Sequence, residues 1–220
     1  MLSADAIVAL HDQRTRAWHR EPATAGEDAR PHANSSAGED ADEDAAAEWP
    51  RSLTLHHRAN FDLWHIEDEA RTPDAADAEL AAIKRRIDTT NQLRNDLAEK
   101  LDRALTAWLE ERGLPNPAAP LNSESPGLII DRLSILALKI YHTREEAGRT
   151  DAPEGHAARN QERLRILEEQ RADLAGCLDA LWRETLAGTR RFNLYRQLKM
   201  YNDPSLNPVV YRKLGAGQGR

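Results

Sequence analysis

The stretch from about Asp74 to Arg112 constrains this chain most. Leu80, Ile83, Ile87, Leu97, Leu101, Leu105 and Trp108 recur there at helical spacing. At about 100° per residue these side chains share one broad face. Arg94 interrupts the middle of that face, where Leu would be the ordinary choice. Asp88, Asn91, Asn95, Glu99 and Asp102 stack on the adjacent stripe. A helix this long buries its apolar face against other helices, so a central stripe of amides, carboxylates and an arginine is either solvated or lines something polar.

The rest of the chain supplies the partners. No stretch alternates with period two for long, and aromatic residues make up only 5%. That is an all-α composition. Residues 4–19 form a short amphipathic helix with Ile7, Leu10 and Trp18 near one side. A second helix runs from Arg51 to about Arg71, with Ser52 as a cap and Thr72-Pro73 as its stop. Its heptad seam reads Leu53, His57, Asn60, Trp64, Glu67 and Arg71, polar where a simple bundle is aliphatic. Gly113-Leu-Pro-Asn-Pro ends the central helix, and Ser125-Pro126 opens the next, which is apolar almost all round except for Asp131, Arg132, Lys139 and His142. A last long helix spans about Gly155 to Thr189. The expected fold is an all-α antiparallel bundle of four to five main helices, with a polar interior and a C-terminal tail packed on it.

Charge divides the chain unevenly. The formal net charge is −7. Between Glu21 and Glu48 nine acids face only Arg30, a local −8 that leaves the rest of the chain near neutral. This segment holds no large apolar residue before Trp49, so it cannot bury enough surface to offset its ordering entropy. We therefore divide the chain into an N-terminal helix (1–20), an acidic disordered insert (21–50), a helical bundle (51–211) and a frayed tail (212–220). No apolar run approaches the length of a membrane span, and no basic segment precedes an apolar block at the N-terminus. The sole cysteine, Cys177, excludes an internal disulfide, and its neighbours Leu174, Leu178 and Leu181 predict a buried thiol. A cytoplasmic location is expected. The segment from Leu186 carries seven bases against one acid, but without aromatic–glycine RNA signatures or a helix-turn-helix pattern, so nucleic acid is not the expected partner.

Helices joined by short turns run antiparallel, so residues equally far from a turn lie at similar depth. On that basis one layer collects His57, Asn60, Asp88, Asn91, Arg94, Asn95, Lys139, His142 and Glu145, with Trp64 nearby. A second layer groups Asp102, Asp131, Asp173, Arg132 and Gln170 as a buried ion network. In the first layer His57 and His142 serve as catalytic acid and base, and Asp88 fixes a histidine tautomer. Arg94 and Lys139 hold an anion, with Asn60, Trp64, Asn91, Asn95 and Glu145 completing the ligand contacts. No metal ligand set is assigned: the Glu-x-x-His pairs of four-helix iron proteins are absent, although a mixed site of His57, Asp88 and His142 stays open. Glycine-rich phosphate loops and Gly-x-Ser-x-Gly are also absent. No cofactor is named.

Four strings carry a resemblance: LWHIEDEAR, IDTTNQLRND, NSESPGLIIDRLSILALKIYH and YRQLKMYNDPSLNPVVY. They resemble the bacterial family called domain of unknown function 4254, over about Leu53 to Tyr211. The long acidic insert departs from its shorter members. The resemblance implies a helical fold and, through neighbouring glycosyltransferase genes, a link to envelope sugar assembly; it implies no reaction. Three function classes follow. The first is an enzyme or binder of a small anionic metabolite, such as a phosphorylated sugar or nucleotide. The second is a non-catalytic protein partner or scaffold whose polar layer is structural, and the third a metal-dependent oxygenase or hydrolase.

Overall fold

The computed structural model of the protein describes residues 2–20, 41–196 and 206. The heart of the acidic insert, 21–40, and the tail beyond 196, apart from Leu206, lie outside the described residues, as does the frayed end expected at 212–220. Among the described residues the chain forms five helices: α1 (Ala4–Trp18), α2 (Ala41–Glu69), α3 (Asp77–Glu110), α4 (Pro126–Ala147) and α5 (His156–Leu186). There is no strand among them, only a single bridge between Leu121 and Arg191. The all-α bundle is as expected.

Most boundaries fall within a few residues of the signals that predict them. Ser3 caps α1 by accepting from the Ala6 N–H. Ser125 stands at the N-cap of α4, with Pro126 in its first turn. Gly155, at φ 75°, precedes α5 in a conformation that suits glycine. The start of α2 differs: it begins at Ala41, not Arg51, and carries Pro50 inside the helix. Burial alone argued for a break there. The alanine- and glutamate-rich run before Pro50 has high helix propensity, and extending a helix already nucleated by packing requires no further burial.

α2 and α3 form one hairpin, α4 and α5 another, and α1 lies across α4 while touching α2 and α5. The apolar core joins Ile7, Leu53, Leu101, Leu105, Ile130, Leu133, Leu178 and Trp182. α4 is the most buried element, as its composition predicts. No described helix is long and apolar enough to cross a membrane.

The α3–α4 connection sets the register of the site. Asp102 on α3 accepts from the Ser125 Oγ–H and from the Gly127 N–H at 2.6 Å, clasping the first turn of α4. A Cβ on Gly127 would sit 2.5 Å from the Ala98 carbonyl oxygen, so only glycine permits this approach. The loop between the helices doubles back beside the chain leaving α5: Arg191 donates to the Pro120 carbonyl, and Asn122 donates to the Arg191 carbonyl at 2.7 Å. α4 therefore starts further along α3 than a tight turn would place it.

Candidate functional site

Asp131, on the buried face of α4, is the hub. Its Oδ1 accepts from His56 Nε2 and Asn60 Nδ2, each at 3.0 Å, and lies 3.2 Å from Arg94 Nε. His56 and Asn60 are four residues apart on α2, so they share a face and reach the same oxygen. Burial alone would raise the Asp131 pKa, but His56, Arg94 and Asn60 outweigh it and hold the carboxylate below its ordinary range. His56 and Asn60 donate to Oδ1, while Arg94 contributes charge at 3.2 Å without a hydrogen bond.

A cavity of about 120 Å³ lies between α3 and α4. Its polar walls are Arg94, Asn95, Glu99, Asp102 and Asp131; Ala98, Leu128 and Tyr195 complete it. The two aspartates sit in contrasting environments. Asp102 is pushed up to about 6, chiefly by burial, against the lowering effect of its bonds from Ser125 and Gly127. Asp131 goes the other way. Such a split between neighbouring carboxyls is how one site holds both a proton donor and a carboxylate.

A second cluster forms where α1, α2 and α4 meet. His19, the C-cap of α1, His65 on α2 and His142 on α4 each offer a ring nitrogen within 4.8 Å of the others. His142 stacks on Trp64 at 5.0 Å and bonds Glu145 through Nδ1 at 3.1 Å. Burial and the His19 imidazole lower the His142 pKa, against the opposing influence of Glu145.

The expected single layer thus separates. Asn60, Arg94 and Asn95 meet at the Asp131 cavity, whereas Trp64, His142 and Glu145 meet at the histidine cluster. His57 belongs to neither. Fully buried, it bonds Ser134 Oγ at 2.7 Å, Thr15 Oγ1 at 2.9 Å and the His11 carbonyl at 3.1 Å. Burial lowers its pKa to about 3, with His56 adding to the effect, so it stays neutral in the packing of α1 against the bundle. Asp88 pairs with Lys84 on the surface of α3 and reaches no histidine. Lys139 is exposed, and Asn91 is half-buried but does not line the cavity.

Of the second expected layer, Asp102 and Asp131 do come together at the cavity wall, but Arg132 pairs with Glu124 at the surface. Asp173 and Gln170 are exposed, and so is Cys177, which lies just off the buried line of Leu174, Leu178 and Leu181. His56 is the hub residue that sequence reasoning missed. Its signal was available, four residues before Asn60, but the heptad seam drew attention to His57 instead.

A family described as protein of unknown function (DUF4254) matches residues 51–194. The match covers His56, Asn60, Arg94 and Asp131, and His65 and His142, but not His19. No curated protein and no solved structure matches the chain. Since the match takes in well over half of the sequence, including all of α3 and α4, the chain belongs to the DUF4254 family.

Proposed function

We propose that the cavity between α3 and α4 binds one polar group of a small metabolite that carries hydroxyls and a single anionic group, as in a sugar phosphate. The observation that carries this reading is Arg94. Its Nε lies 3.2 Å from Asp131 Oδ1 as an ion pair, and its side chain, about a quarter exposed, lines the cavity. A guanidinium held at one edge presents the other in a set direction, which favours a carboxylate or phosphate oxygen.

Size and charge narrow the ligand. At 120 Å³ the cavity holds roughly four waters' volume, each about 30 Å³. It takes one phosphate or one edge of a sugar, with the remainder outside. Glu99, Asp102 and Asp131 stand against the one arginine, so hydroxyl donors suit the walls. A second anionic group about 4 Å from one of those carboxylates would meet about 4 kcal/mol of repulsion at an effective dielectric near 20. Polyphosphates are therefore disfavoured. If the ligand is processed, Asp102 supplies the proton and Asp131 the carboxylate.

A structural role has its own support: two donors from α2 and the Arg94 charge from α3 converge on Asp131 Oδ1, an arrangement that fixes helix register by itself. A thermal-shift panel of inorganic phosphate, hexose phosphates, nucleotides and dicarboxylates, run on wild type and Arg94→Leu, separates the two. Ligand at a hundred times its dissociation constant stabilises the fold by roughly 2.7 kcal/mol. A hexose phosphate shift lost in Arg94→Leu supports the binding site. No shift with any compound, together with altered stability of the variant, rejects it in favour of the register network.

A further inference from the structure

His19, His65 and His142 come from three different helices, and the anchoring of each ring follows one pattern. The Nδ1–H of His19 donates to the Thr15 carbonyl at 2.7 Å, and that of His65 to the Phe61 carbonyl at 2.8 Å. Nδ1 of His142 lies 3.1 Å from a Glu145 carboxylate oxygen. A carbonyl or carboxylate only accepts, so each bond sets the proton on Nδ1 and leaves a lone pair on Nε2. Two of those Nε2 atoms, on His19 and His142, are buried with no hydrogen-bond partner among the described residues. One ring nitrogen from each residue lies within 4.8 Å of the others, and the two orphaned acceptors are costly to bury unless a cation or a donor meets them.

The spacing fits such a cation. The ring centroids are 5.2 Å apart for His19 and His65, 5.0 Å for His19 and His142, and 5.8 Å for His65 and His142. Three imidazoles on a tetrahedral ion, with metal–nitrogen distances of about 2.0–2.1 Å, hold their centroids about 5 Å apart. A carbonyl or carboxylate behind each ligating ring is also the usual support of histidine ligands, fixing tautomer and orientation.

We propose that Nε2 of His19, His65 and His142 binds a divalent first-row transition-metal ion, Zn²⁺ foremost. Imidazole ligands suit zinc, copper and nickel, and among common divalent ions they disfavour magnesium and calcium. Three neutral ligands leave a fourth position for water or an anionic oxygen, the arrangement of catalytic rather than closed structural zinc sites. The ion would also tie the end of α1 to α2 and α4. This site is separate from the Asp131 cavity, and neither proposal depends on the other.

The test uses the full-length protein, free of any affinity tag, titrated with Co²⁺ and followed by visible absorption, with bound metal counted by elemental analysis after dialysis against Zn²⁺. We expect one ion per chain and the intense visible bands of tetrahedral cobalt. His19→Gln, His65→Gln and His142→Gln, examined separately and confirmed folded by circular dichroism, should each lose at least 100-fold in affinity. Glu145→Gln should weaken binding about 10- to 100-fold, as loss of an outer partner does. Should one histidine variant fail to fold, the other two carry the test. Wild type that retains no stoichiometric Zn²⁺ overturns the proposal, as does binding that all folded histidine variants share with wild type. Octahedral, weakly absorbing cobalt overturns the tetrahedral three-histidine geometry.

Discussion

Replacing Asp131 with alanine removes the acceptor of two buried donors and the counter-charge of Arg94 at once, and the structure sets the cost. His56 is fully buried and Asn60 is 3% exposed, so neither donor can turn to water. Each stripped buried donor costs about 1–3 kcal/mol. The Arg94 side chain is 25% exposed and can rehydrate, so its share is discounted to below about 1 kcal/mol. We expect Asp131→Ala to lose about 3–5 kcal/mol, within the range for breaking a buried charge pair. Asp131→Asn keeps a carbonyl for His56 and Asn60 and should lose only about 1–2 kcal/mol. Urea unfolding monitored by circular dichroism measures both, and the alanine variant should melt on the order of 10 °C lower. Because the folded-state pKa of Asp131 lies below its unfolded value, its stabilisation is fully present above about pH 4 and fades as pH falls through the folded value. The gap between wild type and Asp131→Asn should therefore hold steady from pH 5 to 8 and shrink only in stronger acid. A loss under about 1 kcal/mol for alanine would refute the hub.

Two glycines should respond with opposite signs. Gly127→Ala forces a methyl to 2.5 Å from a backbone oxygen and should cost about 1–3 kcal/mol. Gly176→Ala, inside α5 with nothing within 4 Å of the added carbon, should gain about 0.5–1 kcal/mol; urea midpoints decide both. His57, held neutral with its pKa near 3, takes up a proton only on unfolding, so it weakens the fold as pH drops below about 6.5. Relative to wild type, His57→Gln should reduce that acid sensitivity by about 1.4 kcal/mol per pH unit between pH 6 and 4, read from urea unfolding at each pH. Asp102 runs the other way: with its folded pKa raised to about 6, its protonation favours the fold, and that stability is lost as pH rises through 6. Asp102→Asn should flatten this component between about pH 4 and 6, in the same unfolding series.

The helices were legible because apolar spacing, Ser125-Pro126 and the glycine stops are local signals. Arg94 and Asn60 were legible as site residues because each puts a polar group on an apolar seam. Their partner was not, since depth depends on how a loop closes. Taking the α3–α4 loop as a symmetric turn set Arg94 level with His142; the loop instead folds back along the Arg191 segment, and Arg94 meets Asp131. Asn60 likewise shares a partner with Arg94, not Asp88, a slip of about 9 Å along α3 at 1.5 Å per residue. His19 lay beyond reach of this reasoning altogether, because a long insert separates α1 from α2 and no turn fixes its depth. Cys177 failed for a simpler reason: proximity to leucines in sequence is not a helix face.

The most direct test of the ligand site is a titration of ¹⁵N-labelled protein with a hexose phosphate, following the Arg94 Nε–H resonance alongside the backbone amides. Saturable shifts at Arg94 Nε, with changes at Asn95, Ala98 and Leu128, are the predicted result. Shifts confined to the open groove of about 400 Å³ beside Arg85, Arg86 and Thr89, with Arg94 unmoved, would contradict it.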